Sequence, residues 1–350
     1  MSNSKWNRIL CTGIALTVIL TLLVGCGPAA TPTAKPRLKF TLIVPMPIGD
    51  RSYIDAGYEG FKRAEAELEV DATLIEATGV PEHEPAIRGA ANQGFDLIVT
   101  MSMDPDMLLS VAEEFPNVLF GAVDTFYPDD VELPSNLAAW LTEPHEASFL
   151  VGIAAGMLTR TGIVGAVGGL DIAGINTFIV AYEEGVHAVN PEAQTLRGYA
   201  GSFVDPTIGK ELAMAQYEQG ADIIYQVAGL TGEGVIAAAK ETGNFAIGVD
   251  SNQDWIAAGN VIVSMVKRVD NLVYDFVQAA IGGTFESGYK TVGVPDGGTG
   301  LSWDMGSDYF EKNGPQDMVS KLPDVKAKVD EYRKKILSGE YTVRNLLLEE

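Results

Sequence analysis

The chain has 350 residues, of which 47% are hydrophobic and 20% are charged, and its formal net charge at pH 7 is -23. This composition is that of a globular protein rather than of a disordered or fibrous one. So acidic a surface repels nucleic acids and anionic lipids, which excludes both as main partners, although it does not define the charge of a local pocket.

The first 25 residues have the pattern of a secretory signal peptide. Lys5 and Arg8 precede an apolar stretch over 9–24, which at about 16 residues is shorter than the about 20 that a spanning helix needs. The stretch ends in Leu-Val-Gly-Cys, which resembles a bacterial lipobox with Cys26 as the lipidated residue. We expect cleavage before Cys26 and a lipid anchor on the outer face of the cell membrane. An uncleaved signal anchor is the alternative.

The mature domain that follows is expected to contain no cysteine, because Cys11 leaves with the signal peptide and Cys26 carries lipid. A disulfide framework, a zinc-cysteine site and a thiol nucleophile are therefore excluded. Residues 26–37, rich in Pro, Ala and Thr, predict a flexible linker. The roughly 310 residues beyond it are too many for one ordinary core and predict two lobes.

From residue 38 onward, β-branched apolar runs alternate with helical patterns, which is typical of a parallel sheet covered by helices. Strands are predicted at 39–44, 97–101, 118–123, 163–167, 223–227, 245–249 and 261–265. Helices are predicted at 58–69, 107–114, 149–158, 175–188, 206–219 and 234–241. Several strands end in Gly, Asp, Ser or Pro, at the edge where such sheets bind ligands. The pattern predicts a doubly wound α/β fold in two lobes.

Motifs for metal binding and catalysis are missing from the sequence. Its three histidines are His83, His145 and His187. None has the spacing of a metal ligand, and neither a nucleophile elbow nor a Walker loop occurs. The segment 250–254 begins like a calcium loop, but Trp255 and Val261 stand where the turn glycine and the bidentate acid belong. We expect no metal site.

A glycine-rich turn after the strand at 223–227 matches a dinucleotide-binding fingerprint. Gly232, Gly234 and Ala237 have the required spacing, with Asp250 downstream. Export away from cytosolic cofactors argues against this interpretation, and such a turn also suits any ligand that backbone N–H groups approach closely. An enzyme with a nucleotide cofactor therefore remains a remote alternative, and no cofactor is expected.

Several segments in combination carry a family resemblance. They are Gly49–Tyr53 with Tyr58–Phe61, Glu146–Gly152, Gly168–Ile172, Gly185–Pro191, Gly201–Pro206, Gly209–Glu211, Gln219–Asp222, Gly248–Ser251 and Ser264–Asp270. Together they resemble the basic membrane protein (BMP) family of ABC transporter substrate-binding lipoproteins over roughly residues 38–310. Characterised members of that family bind purine nucleosides, so the resemblance implies a non-enzymatic receptor that delivers a nucleoside to an ABC permease and its ATPase, acting as a monomer.

The resemblance also implies a type I periplasmic-binding-protein fold, with two Rossmann-like lobes joined by three crossovers that act as a hinge. The N-terminal lobe is expected at 38–143 plus about 268–282. The C-terminal lobe is expected at 144–264 plus about 288–310. A helical tail is expected at 311–350.

Aromatic positions of the ligand site follow from the same resemblance, and one glycine position follows from the glycine-rich turn after the strand at 223–227. Tyr58 and Phe203 match rings that clamp a purine between the lobes, where stacking contributes about 1–3 kcal/mol per base. Gly229, in the glycine-rich turn, is expected to bring backbone close to the ligand.

Charged positions complete the expected site. Asp250 matches the acid that accepts hydrogen bonds from ribose hydroxyls, and Asp124 matches an acid facing the ligand from the first lobe. Lys267 resembles a site lysine that donates to the ligand or holds a site acid. Asp50 is expected at the edge of the base.

One departure from the family pattern affects the choice of ligand. The pattern places Asn at position 54, where this chain has Ile54, and 45–48 replaces a more polar lead. Loss of an amide that reads a base edge changes which ligand fits. A receptor for a sugar or another small polar metabolite on the same fold is therefore the main alternative.

Overall fold

A computed structural model of the protein describes residues 37–128 and 130–349. The expected signal peptide, the lipidation site Cys26 and the linker up to residue 36 lie outside the described residues. None of the helices in the described ranges combines the length and the apolarity that a bilayer crossing requires.

The described residues form two sheets of six strands each. The strands are β1 (Leu38–Val44), β2 (Val70–Glu76), β3 (Leu97–Met101), β4 (Leu119–Val123), β5 (Leu137–Thr142), β6 (Ile163–Gly168), β7 (Gln194–Tyr199), β8 (Ile223–Val227), β9 (Phe245–Gly248), β10 (Val261–Lys267), β11 (Gly288–Val292) and β12 (Thr299–Leu301).

The helices lie between these strands and after them. They are α1 (Tyr53–Glu67), α2 (Val80–Asn92), α3 (Pro105–Glu114), α4 (Pro144–Leu158), α5 (Ala173–Val189), α6 (Pro206–Glu218), α7 (Gly232–Thr242), α8 (Val269–Gly282), α9 (Tyr309–Asn313), α10 (Gln316–Val319) and α11 (Leu322–Leu337). Short 3₁₀ turns occur at Gly229–Thr231, Ser302–Met305 and Leu346–Leu348.

Each sheet belongs to one lobe of a doubly wound fold. The first has the order β11-β5-β4-β3-β1-β2 with parallel pairing throughout, and the second has the order β12-β10-β9-β8-β6-β7 with only β12 antiparallel. The chain crosses between the sheets after β5, after β10 and after β11, so the three crossovers leave strands at the same end of each sheet. The opposite ends are the edge strands β2 and β7.

Burial on both faces explains why the central strands are apolar. In β1, Phe40, Leu42 and Val44 face one side, where α1 and α8 pack, while Ile43 faces the side covered by α2 and α3. The second sheet is covered in the same way, by α4, α5 and α11 on one face and by α6 and α7 on the other. Gly152 permits a close contact between α4 and α5, because a Cβ there would lie 2.1 Å from the Tyr182 carbonyl oxygen of α5.

Two boundaries differ from those predicted. The segment 288–310 was assigned to the second lobe, but β11 pairs with β5 in the first sheet, in register from Gly288 opposite Ala138 to Val292 opposite Thr142. Only β12 joins the second sheet, because the third crossover comes after β11. The predicted terminal tail is part of the second lobe, since apolar side chains of α10 and α11 are buried in its core.

Candidate ligand-binding cleft

A cavity of about 600 Å³ lies between the two lobes, at the edge where the carboxyl ends of both sheets face each other. Its volume is within the range of about 300–1,000 Å³ that is usual for small-molecule sites. Six of the seven predicted ligand residues line it: Asp50, Asp124, Phe203, Gly229, Asp250 and Lys267. Strand ends that are far apart in sequence therefore converge on one cavity, as parallel sheets dictate.

Tyr58 is the predicted residue that the structure places elsewhere. It lies on the side of α1 that packs on the first core, with its ring 5.9 Å from that of Phe61. The aromatic residue of α1 that lines the cavity is Tyr53. Five residues along a helix correspond to a rotation of about 140°, so both rings cannot face the same side. The predicted clamping role of Tyr58 is corrected accordingly.

A buried ion pair connects the lobes inside the cavity. Lys267 at the end of β10 places its Nζ 2.7 Å from Oδ2 of Asp124, which follows β4, and both side chains are nearly inaccessible. The other oxygen of Asp124 accepts hydrogen bonds of 2.8 Å from the backbone N–H and the hydroxyl of Thr142. The Nζ also lies 4.6 Å from the ring centroid of Tyr53. Removing either charge would leave its partner buried and unpaired.

Asp250 provides a second buried carboxylate. Unlike Asp124, it has no ion-pair partner in direct contact within the described part of the chain. The side chain is 7% exposed, and Oδ2 accepts a hydrogen bond of 2.6 Å from the hydroxyl of Ser52 in the opposite lobe. Burial raises the pKa of Asp250 to about 6, although the charge of Lys267 lowers it. No hydrogen bond from the described residues reaches Oδ1. Ligand hydroxyls are the donors that such an oxygen requires.

Asp50 lines the cavity and also holds the start of a helix. Its carboxylate accepts hydrogen bonds from the backbone N–H groups of Ser52, Ile54 and Asp55, at 2.9, 3.0 and 3.0 Å. It therefore caps α1, whose first N–H groups have no partner within the helix. Because α1 starts at this cap, Asp50 directs Tyr53 into the cavity. The contact of Asp50 with a base edge stays a prediction, and the capping bonds add a positioning role to it.

Unusual backbone conformations concentrate at the cavity. Four non-glycine residues of the described ranges have positive φ: Arg51, Ser102, Asp124 and Asp250, with φ of 50°, 47°, 51° and 65°. The last three line the cavity, directly beyond the ends of β3, β4 and near that of β9. Such conformations cost of order 1–3 kcal/mol each and are typical of sites where function requires a particular side-chain direction.

The Phe203 ring is held in position by two glycines. A Cβ on Gly169 would lie 2.3 Å from the ring, so only glycine allows the ring to rest there. Gly229 has φ of 56°, and Thr231 in the same turn donates its N–H to the Phe203 carbonyl at 3.1 Å. The ring is thus presented to the cavity by a fixed loop, which limits the entropy lost when a planar ligand stacks on it.

The glycines of the dinucleotide-like fingerprint have a packing role. A Cβ on Gly232 would lie 1.8 Å from Oε1 of Gln226, and one on Gly234 would lie 1.8 Å from the Pro206 carbonyl oxygen. They allow α7 to approach β8 and α6 closely. Close helix packing therefore accounts for the motif without a cofactor.

Sequence reasoning missed several residues of the cavity wall. These are Tyr53, His83, Ser102, Thr142 and Phe178, among others. Ser102 directly follows β3, a predicted strand, so its position at a strand end was a signal that could have found it. Thr142 ends β5 and His83 lies on α2, and neither of these elements was predicted. No cluster of three or more possible metal ligands occurs within the described parts of the chain.

Two α/β lobes with a ligand-sized cavity between facing sheet edges are the architecture of ABC transporter solute-binding proteins. The family model described as "ABC transporter substrate-binding protein PnrA-like" (Bmp) matches residues 38–344. The chain belongs to this family. Proteins of this kind bind small molecules and deliver them to membrane permeases.

Individual relatives agree with this assignment. Basic membrane protein D of Borreliella burgdorferi (strain JD1) is 30% identical over 289 residues, which cover 81% of this chain and 84% of the relative. An uncharacterized lipoprotein of Pyrococcus abyssi (strain GE5 / Orsay) is 30% identical over 315 residues, covering 84% and 77%. A solved ABC transporter system solute-binding protein from Aeropyrum pernix K1 superimposes with a TM-score of 0.76 at 28% identity, covering 88% of this chain and 94% of that one.

Proposed function

We propose that this protein captures a purine nucleoside between its lobes and delivers it to an ABC importer as a monomeric, lipid-anchored receptor outside the cytoplasm. The observation that carries the proposal is that one cavity holds the Phe203 ring and, several strands away, a group of carboxylates. We call these the aromatic end, marked by Phe203, and the carboxylate end, marked by Asp250 and the Asp124–Lys267 pair. The rings of Tyr53 and Phe178 also lie close to Lys267 at the carboxylate end. A nucleoside has the same two parts, a planar base and a ribose.

The sheet order supports this division. Phe203 follows β7, the edge strand farthest from the crossovers, whereas Asp124 and Lys267 follow or end β4 and β10, near the crossovers. A base stacked on Phe203 would direct its ribose toward the crossover end. There the hydroxyls would donate to Asp250 and Asp124, and charged acceptors make the stronger hydrogen bonds of this kind.

Lipid anchoring is proposed from Cys26 and its preceding apolar stretch. The naming of the Pyrococcus relative as a lipoprotein supports it. Globomycin, which inhibits the lipoprotein signal peptidase, should cause a larger precursor to accumulate, and Cys26→Ser should prevent lipid labelling. A Cys26→Ser protein that still incorporates labelled fatty acid would contradict this part of the proposal.

A thermal-shift panel tests the ligand class. Inosine, guanosine and adenosine should raise the melting temperature of the protein, whereas ribose, galactose and NAD should not. A response to free sugars alone would support the sugar-receptor alternative, which the carboxylate end could serve without a base. An absence of response to every nucleoside would contradict the proposed function.

Substitution of the stacking ring tests the mechanism. Phe203→Ala should weaken nucleoside affinity about 5-fold to 150-fold, because stacking contributes about 1–3 kcal/mol per base. Phe285→Ala is a matched control, since Phe285 is half-buried against the first core and away from the cavity. Equal affinities for the two variants, measured by calorimetry, would remove Phe203 from the site.

A further inference from the structure

His83 is a cavity residue with an unused hydrogen-bonding group. It lies in the first turns of α2, it is one of the residues that line the cavity, and it is 8% exposed. Its Nε2 is enclosed and has no hydrogen-bonding partner among the described residues. Buried polar groups are nearly always paired, so this nitrogen requires an explanation.

The other two histidines differ from His83 in position. His187 pairs its Nε2 with the Ala193 carbonyl oxygen at 3.1 Å, outside the cavity. His145 is buried at the start of α4, and burial lowers its pKa to about 4. Neither ring lines the cavity, so within residues 37–128 and 130–349 the only imidazole available to a ligand there is that of His83.

The topology places His83 at the aromatic end. Helix α2 follows β2, the edge strand of the first sheet, just as the Phe203 loop follows β7, the edge strand of the second. Three strand intervals separate β2 from β4, which is about 14 Å at the usual spacing. His83 is therefore remote from Asp124 and lies at the end where Phe203 would stack a base.

We infer that His83 is a specificity-determining residue that hydrogen-bonds the edge of the bound base. The inference rests on the proposed function and deepens it. An imidazole nitrogen donates or accepts according to its tautomer, and so can match an oxygen, an amino group or a ring nitrogen of a purine. Ile54, where the family pattern has Asn, is fully buried in the first core, and its side chain supplies no polar contact of this kind.

The expected consequence is discrimination among bases. A base that pairs with His83 satisfies the enclosed nitrogen, whereas an analogue without the matching group leaves it unpaired. Sites that bury a hydrogen-bonding group reject the unmatched ligand strongly. We expect a factor of about 10 to 100 in affinity between matched and unmatched bases.

The test uses the full-length protein and a set of nucleosides that differ only at the base edge. The tightest binder among inosine, guanosine and adenosine is compared with its 7-deaza analogue, its 1-deaza analogue and unsubstituted purine riboside. The wild type should lose at least about tenfold in affinity with one of these analogues. In His83→Phe the loss should disappear, because affinity for the natural nucleoside falls to that for the analogue.

Two further variants make the result specific. His187→Phe is the same chemical change outside the cavity and should discriminate as the wild type does. His83→Gln retains a donor and an acceptor, so its affinity ratio between the natural nucleoside and the analogue should be intermediate. This variant also tests the inference if His83→Phe does not fold. Wild-type discrimination in either His83 variant would overturn the inference.

Failure of the inference and failure of the proposed function are distinguishable. If the wild type binds no nucleoside, both fall. If it binds nucleosides, responds to Phe203→Ala and does not respond to His83→Phe, only the inference about His83 falls.

Discussion

Asp250 is a single residue whose backbone conformation and whose buried charge are both energetically unfavourable, as is typical of ligand sites. It combines a left-handed backbone, with φ of 65°, and a buried carboxylate whose pKa is raised to about 6. Burial is the main cause, and Lys267 only partly offsets it. Because the ordinary pKa is 3.8, the folded state holds the proton more tightly than the unfolded chain does. The favourable contribution to stability is complete below about pH 4 and is lost as the pH rises through 6.

Asp250→Asn should therefore stabilise the protein at pH 7.5, where the wild-type side chain is charged. A shift of about two pKa units corresponds to about 3 kcal/mol, so an increase of about 1–3 kcal/mol in the free energy of unfolding is expected. The gain should vanish at pH 4. Nucleoside affinity at pH 7.5 should fall by about 10-fold to 100-fold, because a charged acceptor is lost.

Denaturant unfolding at the two pH values measures the first effect, and calorimetry measures the second. Asp330→Asn is the control, because Asp330 forms an exposed ion pair with Arg333, and such pairs contribute little. An Asp250→Asn protein that is less stable than the wild type at pH 7.5 would contradict the account of the buried charge.

At the scale of elements, the loops that follow the strands act as rigid supports for the site. The Phe203 loop is held by the turn around Gly229 and rests on Gly169 at the end of β6. Helix α1 is positioned by the Asp50 cap, and this in turn directs Tyr53, whose hydroxyl lies 2.8 Å from that of Ser102. Ligand contacts are thus placed by packing and capping rather than by flexible side chains alone.

Gly169→Ala tests the support of the Phe203 ring. The added Cβ would lie 2.3 Å from the ring, so the ring must move away from the cavity wall. Nucleoside affinity should fall by about the same factor as in Phe203→Ala, about 5-fold to 150-fold. In the double variant Gly169→Ala/Phe203→Ala the two losses of affinity should not add, because both substitutions remove the same stacking contact.

Gly89→Ala is the control, since nothing crowds that position on α2 and alanine favours a helix there. Full additivity would show that Gly169 acts independently of Phe203.

At the scale of the whole molecule, hydrogen bonds across the cleft join the two lobes. They connect the loop before α1, in the first lobe, with the loop after β9, in the second. The Arg51 carbonyl oxygen accepts hydrogen bonds from the hydroxyl of Ser251 at 2.7 Å and from Nε2 of Gln253 at 2.9 Å. Ser52 and Asp250 add a third interlobe bond. These contacts are made only when the lobes are together, so they stabilise the closed state of a hinged receptor.

Ser251→Ala should shift the hinge equilibrium without touching the ligand. Loss of one hydrogen bond of about 0.5–1.5 kcal/mol should weaken nucleoside affinity about 2-fold to 10-fold, mainly through faster dissociation. Stopped-flow measurements give both rates. Ser338→Ala removes a comparable surface hydrogen bond on the distal helix and should leave both rates unchanged. A slower association with unchanged dissociation would argue against a role in holding the lobes closed.

Local sequence patterns predicted the central part of each sheet. β3 and β8 are continuous apolar runs because they are buried on both faces. β2, β7 and β11 were missed because they are partly exposed and carry mixed polar residues, as edge strands do. The assignment of β11 to the wrong lobe has the same cause, since its partner β5 is about 150 residues away in sequence and was not predicted either.

By itself the sequence determined the two-lobed α/β class, because periodicity and strand termination depend on neighbouring residues. Asp124 and Asp250 were predicted as site acids from the family resemblance of the segments that contain them. Only the tertiary structure decided which of Tyr53 and Tyr58 faces the cavity, since this depends on the helix start at the Asp50 cap. It also brought His83 to the cavity, from a helix without a local signal. Side-chain direction and long-range pairing depend on contacts between segments distant in sequence, so local patterns do not contain them.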